Sequence, residues 1–92
     1  MILYYEVDCI IYDSHSLKEK RHVLKSVVHR LRELNMSVSE LAEQDLWQRT
    51  VLGLVTISNA RVQCERVMDQ AIALIDRDPR IECLNITREW YD

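Results

Sequence analysis

Residues 50–58, Thr-Val-Leu-Gly-Leu-Val-Thr-Ile-Ser, are apolar on both alternating sets of positions. Successive side chains of a strand point to opposite faces, so a strand of this kind belongs at the centre of a sheet. Residues 1–12 read differently. Leu3, Tyr5, Val7, Cys9 and Ile11 are all apolar, whereas Ile2, Tyr4, Glu6, Asp8, Ile10 and Tyr12 are mixed. That period of two predicts a strand with one well-buried face. With 1 Gly and 1 Pro in 92 residues there is little room for linkers. We expect a single domain over residues 1–92, large enough to bury one modest core without disulfides or metal.

Helical signals separate the strands. Ser16 followed by Glu19 has the spacing of a capping box. Leu17, Leu24, Val27, Val28, Leu31 and Leu34 then recur at helical spacing to about residue 34, with Asn35 as terminator. Val38 to about Glu43 predicts a short edge strand, and Gln44–Arg49 a turn. Asn59 is placed to cap a second helix, whose inner stripe is Ala60, Cys64, Val67, Met68, Ala71, Leu74 and Ile75. Pro79 ends that helix, and Ile81–Tyr91 forms the last strand.

The order β-α-β-β-α-β predicts an α+β ferredoxin-like sandwich. Two right-handed crossovers give an antiparallel sheet ordered 4-1-3-2 with both helices on one face. Leu3, Val7, Cys9, Leu24, Val28, Leu31, Met68 and Ile75 should be buried. The connections at 13–17, 44–49 and 76–80 should share one end of the sheet. They would bring His15, Lys18, Asp45, Trp47, Arg49, Arg77 and Arg80 into one neighbourhood.

Charge is unevenly placed. The net charge is −3, which disfavours unspecific coating of nucleic acid. Residues 13–34 nevertheless carry six Lys/Arg against three acids and hold all three histidines. Cys9, Cys64 and Cys83 lie far apart in the sequence and read as small core hydrophobes of a reduced, cytoplasmic protein. Met1–Tyr12 is too short and too interrupted by acids to span a bilayer.

Enzyme chemistry finds no support. His22 and His29 are seven residues apart, about 10 Å along a helix, and cannot share a metal. One glycine excludes a Gly-rich phosphate loop, and no nucleophile motif is present. We expect no catalytic residue, no metal and no cofactor.

Three features suit binding. Lys18, Arg21, His22, Lys25, His29 and Arg32 occupy one arc of the first helix, away from the Leu/Val arc. A cation row can track a phosphate backbone, although a solvated helix face looks the same. Trp47 in a polar turn is either an anchor for a partner or a lid on the domain's end. Ile2, Tyr4, Ile10 and Tyr12 mark the open face of strand 1. Base stacking there is disfavoured by Glu6 and Asp8, so self-association fits better.

Ser16-Leu17-Lys18-Glu19-Lys20-Arg21 with Val23-Leu24-Lys25-Ser26, and Gln44-Asp45-Leu46-Trp47-Gln48-Arg49, together resemble the YlxP-like family of small bacterial proteins. The resemblance covers nearly the whole chain. Family members are often encoded near a ribosome-binding factor, which implies a link to ribosomes by association. The expected function is therefore a non-enzymatic binding module. It would contact structured RNA or a ribosomal particle through Lys18, Arg21, Lys25, Arg32, Trp47 and Arg49. The alternative is a homodimer built on Ile2, Tyr4, Ile10 and Tyr12.

Overall fold

A computed structural model describes residues 1–43 and 45–92. Gln44, expected in the turn after the second strand, lies outside the described residues. The elements run β1 (Ile2–Ile11), α1 (Leu17–Leu31), β2 (Ser37–Ala42), β3 (Arg49–Ile57), α2 (Arg61–Asp76) and β4 (Ile81–Tyr91). All three strand pairings are antiparallel and the sheet order is β2-β3-β1-β4, the expected order read from the other edge. The strand that is apolar on both sets of positions is central, as is β1.

One face of the sheet is covered. Leu3, Tyr5, Val7, Cys9 and Ile11 of β1 join Leu52 and Leu54 of β3. Val23, Leu24, Val27 and Leu31 of α1 and Cys64, Met68, Ala71 and Ile75 of α2 complete the same cluster. One residue expected in the core differs, and so does one member of the α1 repeat. Val28 is only half-buried, because it lines a shallow groove between α1 and β2 with Leu24, Val38 and Leu52. Leu17 sits in the first turn of α1, before the helix crosses the sheet, and is exposed.

The helix ends also refine the expectation. Half of the capping box is present: Ser16 Oγ accepts from the Glu19 amide at 3.1 Å, whereas Glu19 Oε2 accepts at 2.6 Å from the amide of His15, one residue before the cap. α1 stops at Leu31 rather than near residue 34. The chain then turns so that Leu34 and Met36 pack against the core. Asn35 does not terminate the helix with left-handed backbone. Instead its side chain donates to the Ile57 carbonyl at 3.2 Å. Asn59 does not cap α2; the cap position is Ala60, whose amide donates to Ser58 Oγ at 3.1 Å.

The register fixes which main-chain groups of the edge strand are free. Met1 and Ser58 exchange both of their main-chain bonds. The even-numbered residues of β3 therefore point their amides at β1, and the odd-numbered ones at β2. Val38, opposite Leu54, consequently turns its carbonyl to the outer edge of β2. Arg32 Nη2 donates to that carbonyl at 3.1 Å.

Candidate functional site

The cation row on α1 divides into two sets. Arg32 is held on the Val38 carbonyl, and Arg21 Nη1 donates to Glu40 Oε1 at 2.7 Å. Neither is a freely placed phosphate ligand, because each already serves to attach α1 to β2. Lys18, His22 and Lys25 are exposed, with no hydrogen bond or ion pair among the described residues. His29 is exposed and lies 3.6 Å from Glu33.

Next to Arg21 lies a lysine that the expected cation row did not include. Lys20 is 0% exposed. Its ammonium donates to the Glu43 carbonyl at 2.5 Å and lies 3.3 Å from Glu40 Oε2. Glu40 also accepts from Thr50 Oγ1 at 2.8 Å. Burial works against the Glu40 carboxylate, but the bonds from Arg21 and Thr50 and the charge of Lys20 outweigh it and hold the carboxyl below its ordinary range. A buried charge without a partner is costly, so this set of residues pins α1 to β2. The signal was legible: Lys20, Leu24, Val27 and Leu31 follow one helical stripe, and Glu40 shares the inward parity of Val38.

At the other side of α1 the signs reverse. The Asp78 side chain is 4% exposed and accepts from Arg80 Nε at 3.0 Å, Arg80 Nη2 at 2.8 Å and Arg30 Nη2 at 2.8 Å. The Arg80 bonds, reinforced by Arg30, hold the Asp78 carboxyl well below the usual carboxylate range. Arg30 and Arg80 thereby join α1 to the turn before β4.

The three expected connections do meet at one end. Gln48 Nε2 donates to the Ser14 carbonyl at 3.2 Å, and the Tyr12 amide donates to the Arg80 carbonyl at 2.8 Å. Lys18 and Arg80 line a shared depression there with Tyr12, Ser14 and His22. Arg49 turns away from it. Its Nη2 binds both Asp8 oxygens, at 3.0 and 2.9 Å, on the open face of the sheet. Trp47 is 50% exposed and borders a depression with Asp45, Leu46, Gln48 and Arg49, and among the described residues it does not pack against the core.

The open face carries Ile2, Tyr4 and Ile10, all half-buried, and Tyr12, exposed. The register adds Val51, Val55 and Ile57 from β3 and Tyr91 from β4. Leu41 folds over Gly53 so closely that a Cβ there would lie 2.8 Å from Leu41 Cδ1. Three tyrosines on this face each donate to a glutamate: Tyr4 to Glu6 at 3.3 Å, Tyr12 to Glu82, and Tyr91 to Glu89. Bonding to Glu82 raises the Tyr12 hydroxyl's pKa, and bonding to Glu89 raises that of Tyr91.

Residues 2–88 match the family described as "Protein of unknown function (DUF503)". The chain belongs to the DUF503 family. It is 46% identical over 92 residues to the uncharacterized protein YlxP of Bacillus subtilis strain 168, covering 99% of this chain and 100% of that one. A de novo designed protein with a ferredoxin fold, solved by NMR, aligns over 97% of this chain and 83% of its own, with a TM-score of 0.49 and 14% identity.

In this DUF503 chain the cysteines are closer than their spacing suggested. Cys9 and Cys83 face each other across β1 and β4, at a pair whose main chains do not exchange hydrogen bonds. Burial pushes the Cys9 thiol up to about 12, and burial also raises that of Cys83. Among the described residues no group of three or more His, Cys, Asp or Glu could hold a metal, and no helix is long and apolar enough to cross a membrane.

Proposed function

We propose that this ferredoxin-like sandwich is a non-enzymatic module that contacts structured RNA, as found in ribosomal particles. The contact runs through the exposed row of α1. The observation that carries the reading is that Lys18, His22 and Lys25 line one exposed side of α1 without side-chain partners among the described residues. Cations already satisfied inside the protein offer little to phosphate, whereas these two lysines keep their full capacity to displace counterions. The exposed Trp47 offers a ring on which an unpaired base can stack.

Arg21, Arg32 and Arg49 drop to supporting roles in this reading, because each has a defined bond within the domain. Two phosphate contacts give a log–log salt slope of about −1.4 for a single strand. The test is a titration of small-subunit ribosomal RNA fragments at two salt concentrations. The Lys18→Glu, Lys25→Glu variant should lose binding with an unchanged melting curve. Trp47→Ala should weaken binding by about 1–3 kcal/mol without destabilising the domain. Parental affinity in the double variant would leave the row as a solvated face only.

A further inference from the structure

Among the described residues no element covers the face of the sheet opposite the helices, apart from Leu41 over Gly53, and its chemistry selects an occupant. Its floor is apolar: Ile2, Tyr4, Ile10 and Val51 are half-buried, while Val55 and Ile57 are exposed, the latter by 61%. Exposed apolar surface of this kind, set in a polar surround, marks an interaction site. The surround here is acidic. Glu6, Asp8, Glu82 and Glu89 stand on the face with Arg49 as the counter-charge. Among the described residues of this face, only Asp8 is neutralised, by Arg49.

Glu6, Glu82 and Glu89 are held instead by Tyr4, Tyr12 and Tyr91. A phenol fixes a carboxylate in place and leaves its charge intact. Each of these sites thus offers a fixed anion, an aromatic ring and an aliphatic neighbour. Lysine and arginine match all three, with a charged head, an affinity for ring faces and an apolar stem. Along the strand, Glu82 lies opposite Ile10 and is about 13 Å from the Glu6 position, four residues at about 3.3 Å each.

We propose that the open face docks an extended basic segment of a partner protein, lying edge-on along β1, in which Arg or Lys directed toward Glu6, Glu82 and Glu89 alternates with aliphatic residues directed toward Val51, Val55 and Ile57. A second copy is the poorer occupant, because two such faces would bring like charges together. Nucleic acid is repelled for the same reason. This surface is separate from the α1 row, so its failure would leave the RNA reading standing.

The probe is a fluorescent, end-blocked peptide, Arg-Val-Arg-Leu-Arg-Val-Arg-Leu-Arg, titrated by anisotropy. Its Glu-for-Arg counterpart should not bind, and its Ser-for-Val/Leu counterpart should bind at least tenfold more weakly. The Glu6→Gln, Glu82→Gln, Glu89→Gln variant should lose at least tenfold in affinity. A variant of equal net charge, Glu33→Gln, Glu65→Gln, Asp69→Asn, should bind within twofold of the parent. Equal losses in the two variants would reduce the effect to net charge and overturn the proposal. NMR of the parent protein does not depend on any variant folding. The peptide should shift the methyls of Ile2, Ile10, Val51, Val55 and Ile57, and a footprint on α1 instead would refute the docking site. Sedimentation that shows a dimer abolished by Ile57→Lys would assign the face to a second copy and overturn the proposal.

Discussion

On the helix side of the sheet, Lys20 and Asp78 have left water and each meets opposite charge at close range. On the open side, Glu6, Glu82 and Glu89 stay in water and meet phenols. The first arrangement spends charge on holding α1 in place; the second keeps charge available to something outside the molecule. The difference teaches that a count of acids and bases says little about binding until each is sorted by what already satisfies it. By that sorting the α1 row shrinks to Lys18, His22 and Lys25 with His29 beside them, and the acidic sheet face grows in importance.

The contrast breaks most visibly at Glu40. Glu40→Ala leaves the buried Lys20 ammonium without its carboxylate and should cost about 3–5 kcal/mol, read from denaturant unfolding. Lys20→Met should cost clearly less, because Glu40 keeps Arg21 and Thr50 and the methionine fills the same space. If Lys20→Met is the more damaging of the two, the lysine is the keystone and the assignment of roles is reversed.

Asp78→Asn comes next, at about 1.5–3 kcal/mol for weakened bonds to two guanidinium groups. The pH dependence has a definite sign. Asp78 and Glu40 have carboxyls held below their ordinary values in the folded protein. The stability they contribute is complete above the unfolded values, about 3.9 and 4.3, and is lost as pH falls through the folded ones. Melting temperature against pH should therefore drop on acidification below about pH 4. Asp78→Asn should flatten the drop; an unchanged acid limb would show that the cluster contributes nothing to it.

The cysteines give a smaller, kinetic effect. With both thiols raised, alkylation at pH 8 should be slow in the folded protein, and Cys83, half-buried, should react before the fully buried Cys9. Mass spectrometry of the time course reads the order, and Cys9 reacting first would contradict it. Gly53→Ala should have the least effect, about 0.5 kcal/mol, because the clash is with the end of an exposed leucine that can swing into water.

Much of the architecture was legible because burial leaves a period in the sequence. The alternation in β1, the doubly apolar β3 and the stripes of α1 and α2 placed those four elements, and β4 spans the residues expected. Helix ends were less legible: Asn35 and Asn59 are plausible caps by residue type, yet Asn35 bonds the Ile57 carbonyl and the cap position of α2 falls on Ala60. The cation row was legible as a row, but its division was not. Only the fold shows that Arg21 reaches Glu40 and Arg32 reaches a carbonyl of β2. Lys20 was hidden by its charge: read as a surface residue by type, it sits on the core stripe by position. The tyrosine–glutamate pairs Tyr12–Glu82 and Tyr4–Glu6 differ in the same way, the first joining distant residues and the second lying within one strand.

The bond from Arg32 to Val38 has a further consequence, for what the sheet can become. A strand with unpaired amides and carbonyls along its side is a template on which other chains add, and repeated addition ends in aggregates. In β2 the guanidinium occupies an outward carbonyl that an incoming chain would need, and the strand spans only 6 residues. At the opposite edge, β4 is longer, but its register against β1 slips between Asp8 and Cys9, leaving Leu84 unpaired. Such a bulge bends and twists the outer edge away from the flat geometry that a stacked strand requires. Both edges are thereby poor templates for a fifth strand, and at β2 the feature responsible includes a side chain that looked like a ligand for phosphate.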